Sequence, residues 1–517
     1  MEEEAGRASG ILPGRASGIL LHPTSLPGPH GIGELGAAAD RFLDYLVAAG
    51  QSLWQVLPLG PTGYGDSPYS CFSSFAGNPL LVSLDTLAEW GALESTELEG
   101  APDFPRDRVL FGPLIEWKMP LLRRAAARFL DSGTRERRDA FEVFRSRESW
   151  WLEDYALFAA LKVTRAGAWN DNWDGDIALR KPASMKRVKA ELARGIAEEE
   201  VIQYFFFSQW DSLHEAAAGK GIRIIGDLPI FAAPDSADVW AHRELFLLDP
   251  EGRPTVVSGV PPDYFAATGQ LWGNPLYDWD ELARQGFRFW IQRIRSACRM
   301  YDQVRIDHFR GFEACWSVPA GERTAERGRW VKVPGVRLFE AMEKELGALP
   351  IIAEDLGVIT PEVDELRRRF GFPGMRILQF AFDRGEAGRL SADNRFLPHN
   401  HSRNSVVYTG THDNDTTRGW WNARTREERD YLESYCTATD PEIEWRLIRM
   451  AMASVCRSAI VPLQDVLGRG PETRMNTPGT SSGQNWSWRA DDTCFPGEAA
   501  RRLRSLSEIY GRTLPSG

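Results

Sequence analysis

The sequence predicts an α/β fold, a (β/α)8 TIM barrel with large inserted subdomains between strands 2 and 3 and between strands 3 and 4. Three observations point there. Eight short apolar, β-branched runs end in polar residues, helical patterns lie between most of them, and those polar ends gather the acids and histidines. Strands alternating with helices make a parallel sheet, and eight such units close into a barrel whose active site lies at the C-terminal strand ends.

In chain order the runs are 18–22 (GILLH), 52–59 (SLWQVLPL), 222–228 (IRIIGDL), 303–307 (QVRID), 351–355 (IIAED), 375–382 (MRILQFAF), 405–411 (SVVYTGT) and 458–463 (SAIVPL). His22, Asp227, Asp307, Glu354 and the pair His412–Asp413 fall at their ends. Helical periodicity covers 35–49, 198–218, 282–300, 361–370 and 442–456, and Thr360 followed by Pro361 reads as a cap and first turn. About 160 residues separate the second run from the third and about 70 the third from the fourth. No simple loop is that long, so insertions are expected at about 60–220 and 230–302, walling the top of the barrel. The first carries its own helical pattern around 149–163. Residues 6–12 recur as residues 14–20. Residues 1–17 are therefore expected to be a disordered, duplicated start, and 18–517 a single catalytic barrel domain.

Composition narrows the function. The 517 residues are 43% hydrophobic and 26% charged, ordinary for a globular chain and too apolar for a disordered one. Net charge is 61 − 72 = −11, without a Lys/Arg run that would make a nucleic-acid surface. No run approaches 18 apolar residues, so no membrane span is expected, and the start Met1-Glu2-Glu3-Glu4 is unlike a signal peptide. Six scattered cysteines without C-x-x-C fit free thiols in a cytoplasmic protein. Nineteen tryptophans offer core packing and faces for stacking on sugar rings.

Three strand ends carry the chemistry. In Val304-Arg305-Ile306-Asp307-His308, alternation puts Arg305 and Asp307 on one face. An arginine there lowers the pKa of the carboxyl and suits it to nucleophilic work, although a structural Asp–Arg pair has the same signature. In Ile352-Ala353-Glu354-Asp355 two adjacent acids point to opposite sides. A carboxyl set against apolar walls or beside another carboxylate gains pKa and can act as a general acid, or else simply cap a loop. The segment Thr411-His412-Asp413-Asn414-Asp415 could ligate a hard cation, but its spacing matches no Ca²⁺ loop, and a His–Asp pair bonding sugar hydroxyls fits better. Two acids from different strands flanking a cleft are the machinery of glycosidic bond cleavage.

Competing motifs are missing or misplaced. There is no phosphate loop and no G-x-S-x-G elbow. Gly31-Ile32-Gly33-Glu34-Leu35-Gly36 matches G-x-G-x-x-G, but a proline-rich stretch separates it from its strand and the next strand has no acid for a ribose.

Eight segments resemble the 4-α-glucanotransferases (amylomaltases, disproportionating enzymes) of the α-amylase clan. They are residues 16–36, 58–70, 226–231, 261–279, 304–312 (VRIDHFRGF), 351–357 (IIAEDLG), 408–416 (YTGTHDNDT) and 474–479 (RMNTPG) leading to Asn485-Trp486. The resemblance implies a barrel with inserted subdomains, no cofactor and no metal. It implies transfer of an α-1,4-glucan segment to the 4-hydroxyl of another glucan or of glucose. By motif Asp307 corresponds to the nucleophile, Glu354 to the acid/base and Asp413 to the acid that grips the distorted donor sugar. Arg305, His412 and Asp227 correspond to residues around them, and Tyr69 and Ser67 to the donor groove. Tyr64 corresponds to a second glucan site, Asp263 and Trp272 to the acceptor-side lid (with the 261–270 loop), and Asn485 to a further sugar contact. The chain groups with the short members, and a monomer or weak dimer is expected. It departs from the pattern by one extra residue before Asn485. A hydrolase of the same clan and an inactive glucan-binding protein are the rival readings.

Overall fold

The computed structural model describes residues 14–262, 266–384, 388–436, 441–480 and 483–513. Twelve strands among them form two sheets. They are β1 (Ala16–Leu20), β2 (Leu53–Gln55), β3 (Arg223–Leu228), β4 (Val256–Val260), β5 (Gln270–Pro275), β6 (Gln303–Ile306), β7 (Ala314–Pro319), β8 (Arg329–Lys332), β9 (Ile351–Ala353), β10 (Gly374–Ile377), β11 (Ser405–Tyr408) and β12 (Ser458–Pro462).

Eight of them build the barrel in the order β10-β11-β12-β1-β2-β3-β6-β9, every ladder parallel. The ring closes between β9 and β10, where Ala353 N donates to the Pro373 carbonyl at 2.9 Å. Beside that bond the Asp355 carboxylate accepts from Met375 N at 2.7 Å, a side chain standing in for a ladder carbonyl. Gly374 leaves room for it, since a Cβ there would lie 2.4 Å from Asp355 Oδ2. The barrel strands other than β3 are buried along their whole length, as expected where helices cover the outer face of a parallel sheet.

The start of the chain differs from expectation. Ala16 and Ser17 already belong to β1, paired with Ser458 and Ala459. Arg15 donates to the carbonyls of Tyr510 and Met452, so order begins inside the stretch expected to be disordered. Residues 1–13 lie outside the described residues.

Between β2 and β3 come the long helices α1 (Phe111–Ser132), α2 (Arg135–Thr164) and α3 (Ala193–Gly219). Phe129 of α1 meets Phe141 of α2 edge-on at 5.8 Å and Tyr204 of α3 at 5.6 Å. Their shared apolar faces join the barrel core. Trp54, Trp169, Trp210, Trp240 and Trp290 are fully buried there. The tryptophan excess is therefore chiefly core; Trp150, Trp272 and Trp330 are the exposed ones among the described residues.

The second sheet is antiparallel, ordered β5-β4-β7-β8. Sequence analysis places insertions only ahead of β6, yet β7 and β8 follow it. The reason is legible in β8, where three of four residues are exposed and no apolar run marks a strand. This sheet is thus assembled from both sides of the strand that carries Asp307. Two other boundaries move. The run 375–382 divides into β10 and a buried 3-10 helix, Leu378–Phe382, which an apolar run cannot distinguish from strand. The helical pattern at 282–300 divides into Trp279–Arg284 and Arg288–Met300 because Gly286 and Phe287 turn the chain at φ of 66° and 57°. No helix among the described residues is long and apolar enough to cross a membrane.

Candidate active site

The site starts from register. Asp227 on β3 lies opposite Arg305 on β6, so their side chains emerge from the same face of neighbouring strands. Arg305 Nη1 donates to Asp227 Oδ2 at 2.6 Å and Nη2 to Asp307 Oδ1 at 2.9 Å. Two residues beyond Arg305, the Asp307 side chain sits just past the strand end and keeps 31% of its surface exposed. Burial raises the Asp227 carboxyl above its usual range, and Arg305 offsets part of that rise. Tyr69 completes this group, donating to Asp227 Oδ2 at 2.8 Å.

Glu354 follows β9, the next strand. Its Oε2 accepts from His308 N at 2.7 Å and its Oε1 from Leu356 N at 2.8 Å. Burial, reinforced by the Asp307 charge, pushes Glu354 up to about 8; Arg305 and the two backbone donors act in the opposite direction. Desolvation outweighs them and favours the protonated form of Glu354. Asp355 points the other way, into Arg376 and Arg395.

Asp413 follows β11. Its Oδ1 accepts from Asn476 Nδ2 at 2.7 Å and lies 3.3 Å from His412 Nε2, while Arg474 Nη2 donates to its carbonyl at 2.7 Å. The His412 ring stacks on Tyr69 at 5.2 Å and 14°, and Trp486 packs against both. Tyr69 therefore bridges the Asp227–Arg305–Asp307 group to the His412–Asp413 pair. Behind His412, burial together with that neighbour holds His22 neutral, its pKa lowered to about 3. Recesses of about 450 Å³ beside His412 and about 610 Å³ beside Tyr69 and Asp227 flank the group.

The remaining expected residues divide. Ser67 accepts from Tyr69 N at 3.2 Å and so shapes the turn that presents the tyrosine. Trp272 on β5 stands edge-on to His308 at 4.7 Å. Tyr64 is 84% exposed at the surface. Asp263 lies outside the described residues. Asn485 holds its own loop: its Oδ1 accepts from Thr477 N and its Nδ2 donates to Thr480 O, both at 3.1 Å. Asn476, Arg474 and Trp486 are the contacts that sequence reasoning missed. Asn476 and Arg474 belong to the RMNTPG segment, but nothing in their spacing ties them to Asp413, some sixty residues earlier. Among the described residues, His30, Glu34 and Asp85 have oxygens and nitrogens close enough to share a metal. The buried Lys118 ammonium already bonds Glu34 there, occupying the cluster with a cation of its own.

A parallel barrel with an arginine-held Asp and a buried Glu on adjacent strand ends has the arrangement of a carbohydrate-active enzyme. The chain belongs to the 4-alpha-glucanotransferase family, whose profile matches residues 21–493. It is 52% identical to the 4-alpha-glucanotransferase of Thermus thermophilus over 507 residues, covering 96% of this chain and 99% of that one. It is 47% identical to the chloroplastic/amyloplastic 4-alpha-glucanotransferase of Solanum tuberosum, covering 96% and 86% of the two chains. The solved amylomaltase of Streptococcus agalactiae in complex with acarbose superposes with a TM-score of 0.92 at 38% identity, covering 97% of this chain and all of that one. The barrel expected from the sequence is the fold observed.

Proposed function

We propose that this 4-alpha-glucanotransferase works with retention, through a glycosyl ester on Asp307, with α-1,4-glucans as donors and a glucan or glucose as acceptor. An Asp307 oxygen bonds to the anomeric carbon as the glycosidic C–O bond breaks, and the departing oxygen takes the proton of Glu354. Glu354, now ionised, accepts the proton of an incoming 4-hydroxyl, whose oxygen displaces Asp307 and regenerates both groups. Arg305 holds Oδ1 of Asp307 and orients the carboxylate for attack. Asp413, steadied by Asn476 and His412, grips hydroxyls of the donor sugar, and Tyr69 gives that sugar an aromatic wall. The inserted segments and the small sheet bearing Trp272 wall the cleft, and limiting water there favours a sugar hydroxyl as the attacking group.

The observation that carries this reading is the contrast between two neighbouring acids: Glu354 is buried, which favours its protonated form, while Asp307 is partly exposed and engaged by an arginine. The acarbose complex of the Streptococcus agalactiae protein supports a glucan-like occupant for the cleft. Incubation with maltotriose tests the reaction. Transfer leaves total reducing ends constant while glucose and longer chains appear; a rise in reducing ends would assign the protein to the hydrolases instead.

A further inference from the structure

His308 follows Asp307 directly, yet the mechanism gives its ring no part. Its backbone is left-handed, φ 51° and ψ 51°, an unfavourable conformation for a residue with a Cβ. Such a conformation persists where the surroundings require it, and here it turns the His308 N–H onto Glu354 Oε2 at 2.7 Å. The same turn sends the imidazole to the other side, where it meets the Trp272 indole at 4.7 Å and 89°. Its far edge is packed as well: a Cβ on Gly311 would come within 3.2 Å of His308 Cδ2. Nε2 is buried without a partner, so the ring is seated by shape rather than by a hydrogen bond. Phe231 also neighbours Trp272, at 6.3 Å, and the indole Nε1 donates to Gln270 Oε1 at 3.3 Å.

One residue thus touches the acid/base through its main chain and the exposed indole of the small sheet through its side chain. That sheet is built from segments on both sides of β6, the strand that His308 follows. We propose that His308 is a positioning residue for the acceptor step, fixing Trp272 relative to the Glu354 carboxyl so that an acceptor sugar resting on the indole presents its hydroxyl to that carboxylate. The inference rests on the assignment of Glu354 as the acid/base. It makes His308 specific for the second half of the reaction: donor cleavage needs the N–H, acceptor attack needs the ring as well.

His308→Asn separates the two. Asparagine tolerates the left-handed backbone and keeps the N–H, but it removes the ring. Donor cleavage is followed with maltotriosyl fluoride, and acceptor use by the glucose dependence of transfer from maltotriose. The expected result is a rise of tenfold or more in the KM for glucose, with fluoride release slowed no more than threefold and an unchanged unfolding temperature. Trp272→Ala should give the same acceptor defect, and the double variant should be no worse than either single one. Equal losses in both half-reactions, or an acceptor KM left unchanged, would overturn the role of His308. Additive losses in the double variant would overturn its action through Trp272. Glu354→Gln keeps the two readings apart: if that variant retains full transfer from maltotriose, the acid/base assignment falls, whatever His308→Asn does.

Discussion

Arg305 and Asp227 face each other across β6 and β3 and meet at 2.6 Å with their side chains only 4% and 0% exposed. The same guanidinium reaches Asp307 with its other terminal nitrogen. A planar fork can serve two carboxylates at once, whereas an ammonium is a single point charge. Arg305→Lys is expected to lower kcat by ~10²-fold or more, because one of the two acids loses its partner. Arg305→Ala also leaves Asp227 buried without a counter-charge and is expected to cost about 3–5 kcal/mol of stability. Disproportionation kinetics on maltotriose and thermal unfolding measure the two effects; a lysine variant with unimpaired kcat would refute the fork.

Asp307→Asn keeps the side chain's shape and removes the proposed nucleophile. Turnover is expected to fall by ~10³-fold or more, while glucan binding followed by tryptophan fluorescence stays within a few-fold of the parent. Trapping with a fluorinated maltosyl donor should label Asp307 in the parent chain alone. A label on another residue would displace the assignment.

Asn476 donates to Asp413 Oδ1 at 2.7 Å, and its main-chain N–H donates to the His412 carbonyl at 3.0 Å. A hydrogen bond to a charged group contributes roughly 1.5–3 kcal/mol, so Asn476→Ala should lower kcat/KM for maltotriose by ~10–100-fold. Asn476→Asp sets a second carboxylate against Asp413 and should be at least as harmful at neutral pH. Activity of either variant within twofold of the parent would show that Asp413 needs no such support.

The acids were legible in the sequence because each ends a strand, and strand ends are local. Alternation along 304–308 places Arg305 beside Asp307, and the structure keeps them so. The pairing of Arg305 with Asp227 is a matter of register between segments nearly eighty residues apart, which periodicity does not report. Asn476 reaches Asp413 from some sixty residues further along the chain, and the contact is missed for the same reason. Composition counts nineteen indoles without saying which pack the core and which face outward, and most of them prove to be core. Strand β8 escaped because an edge strand with three of four residues exposed has neither the apolar run nor the strict alternation by which strands are recognised.

In the proposed mechanism donor cleavage requires the protonated form of Glu354, whose pKa burial pushes up to about 8. The rate of maltotriosyl fluoride hydrolysis or transfer would hide this, because fluoride leaves without a proton. With maltotriose itself, kcat/KM is expected to be level through neutral pH and to fall tenfold per unit well above pH 8. The fluoride donor should lose much less over that range. An alkaline limb of the same size with both donors would assign the titration to some other group.

The same carboxyl ties stability to pH, and the sign follows from where the proton resides. In the native chain Glu354 holds its proton up to about 8, whereas an unfolded glutamate releases it near 4.5. Between those values the native state binds more protons than the unfolded one, so stability falls as pH rises through the window. Glutamine cannot ionise, and it still offers an acceptor oxygen to His308 N or Leu356 N. Glu354→Gln should therefore unfold at nearly the parent's temperature at pH 4.5 and at a higher temperature by pH 8. The gap should be roughly a few degrees, corresponding to about 1–3 kcal/mol once the carboxylate's own hydrogen bonds are set against its desolvation. The gain is expected together with loss of transfer from maltotriose, as follows when a buried acid is kept for its chemistry at the expense of the fold. Thermal unfolding of both chains from pH 4.5 to 8.5 decides the matter: a constant difference across that range, or a variant less stable at pH 8, would show that burial does not govern this acid.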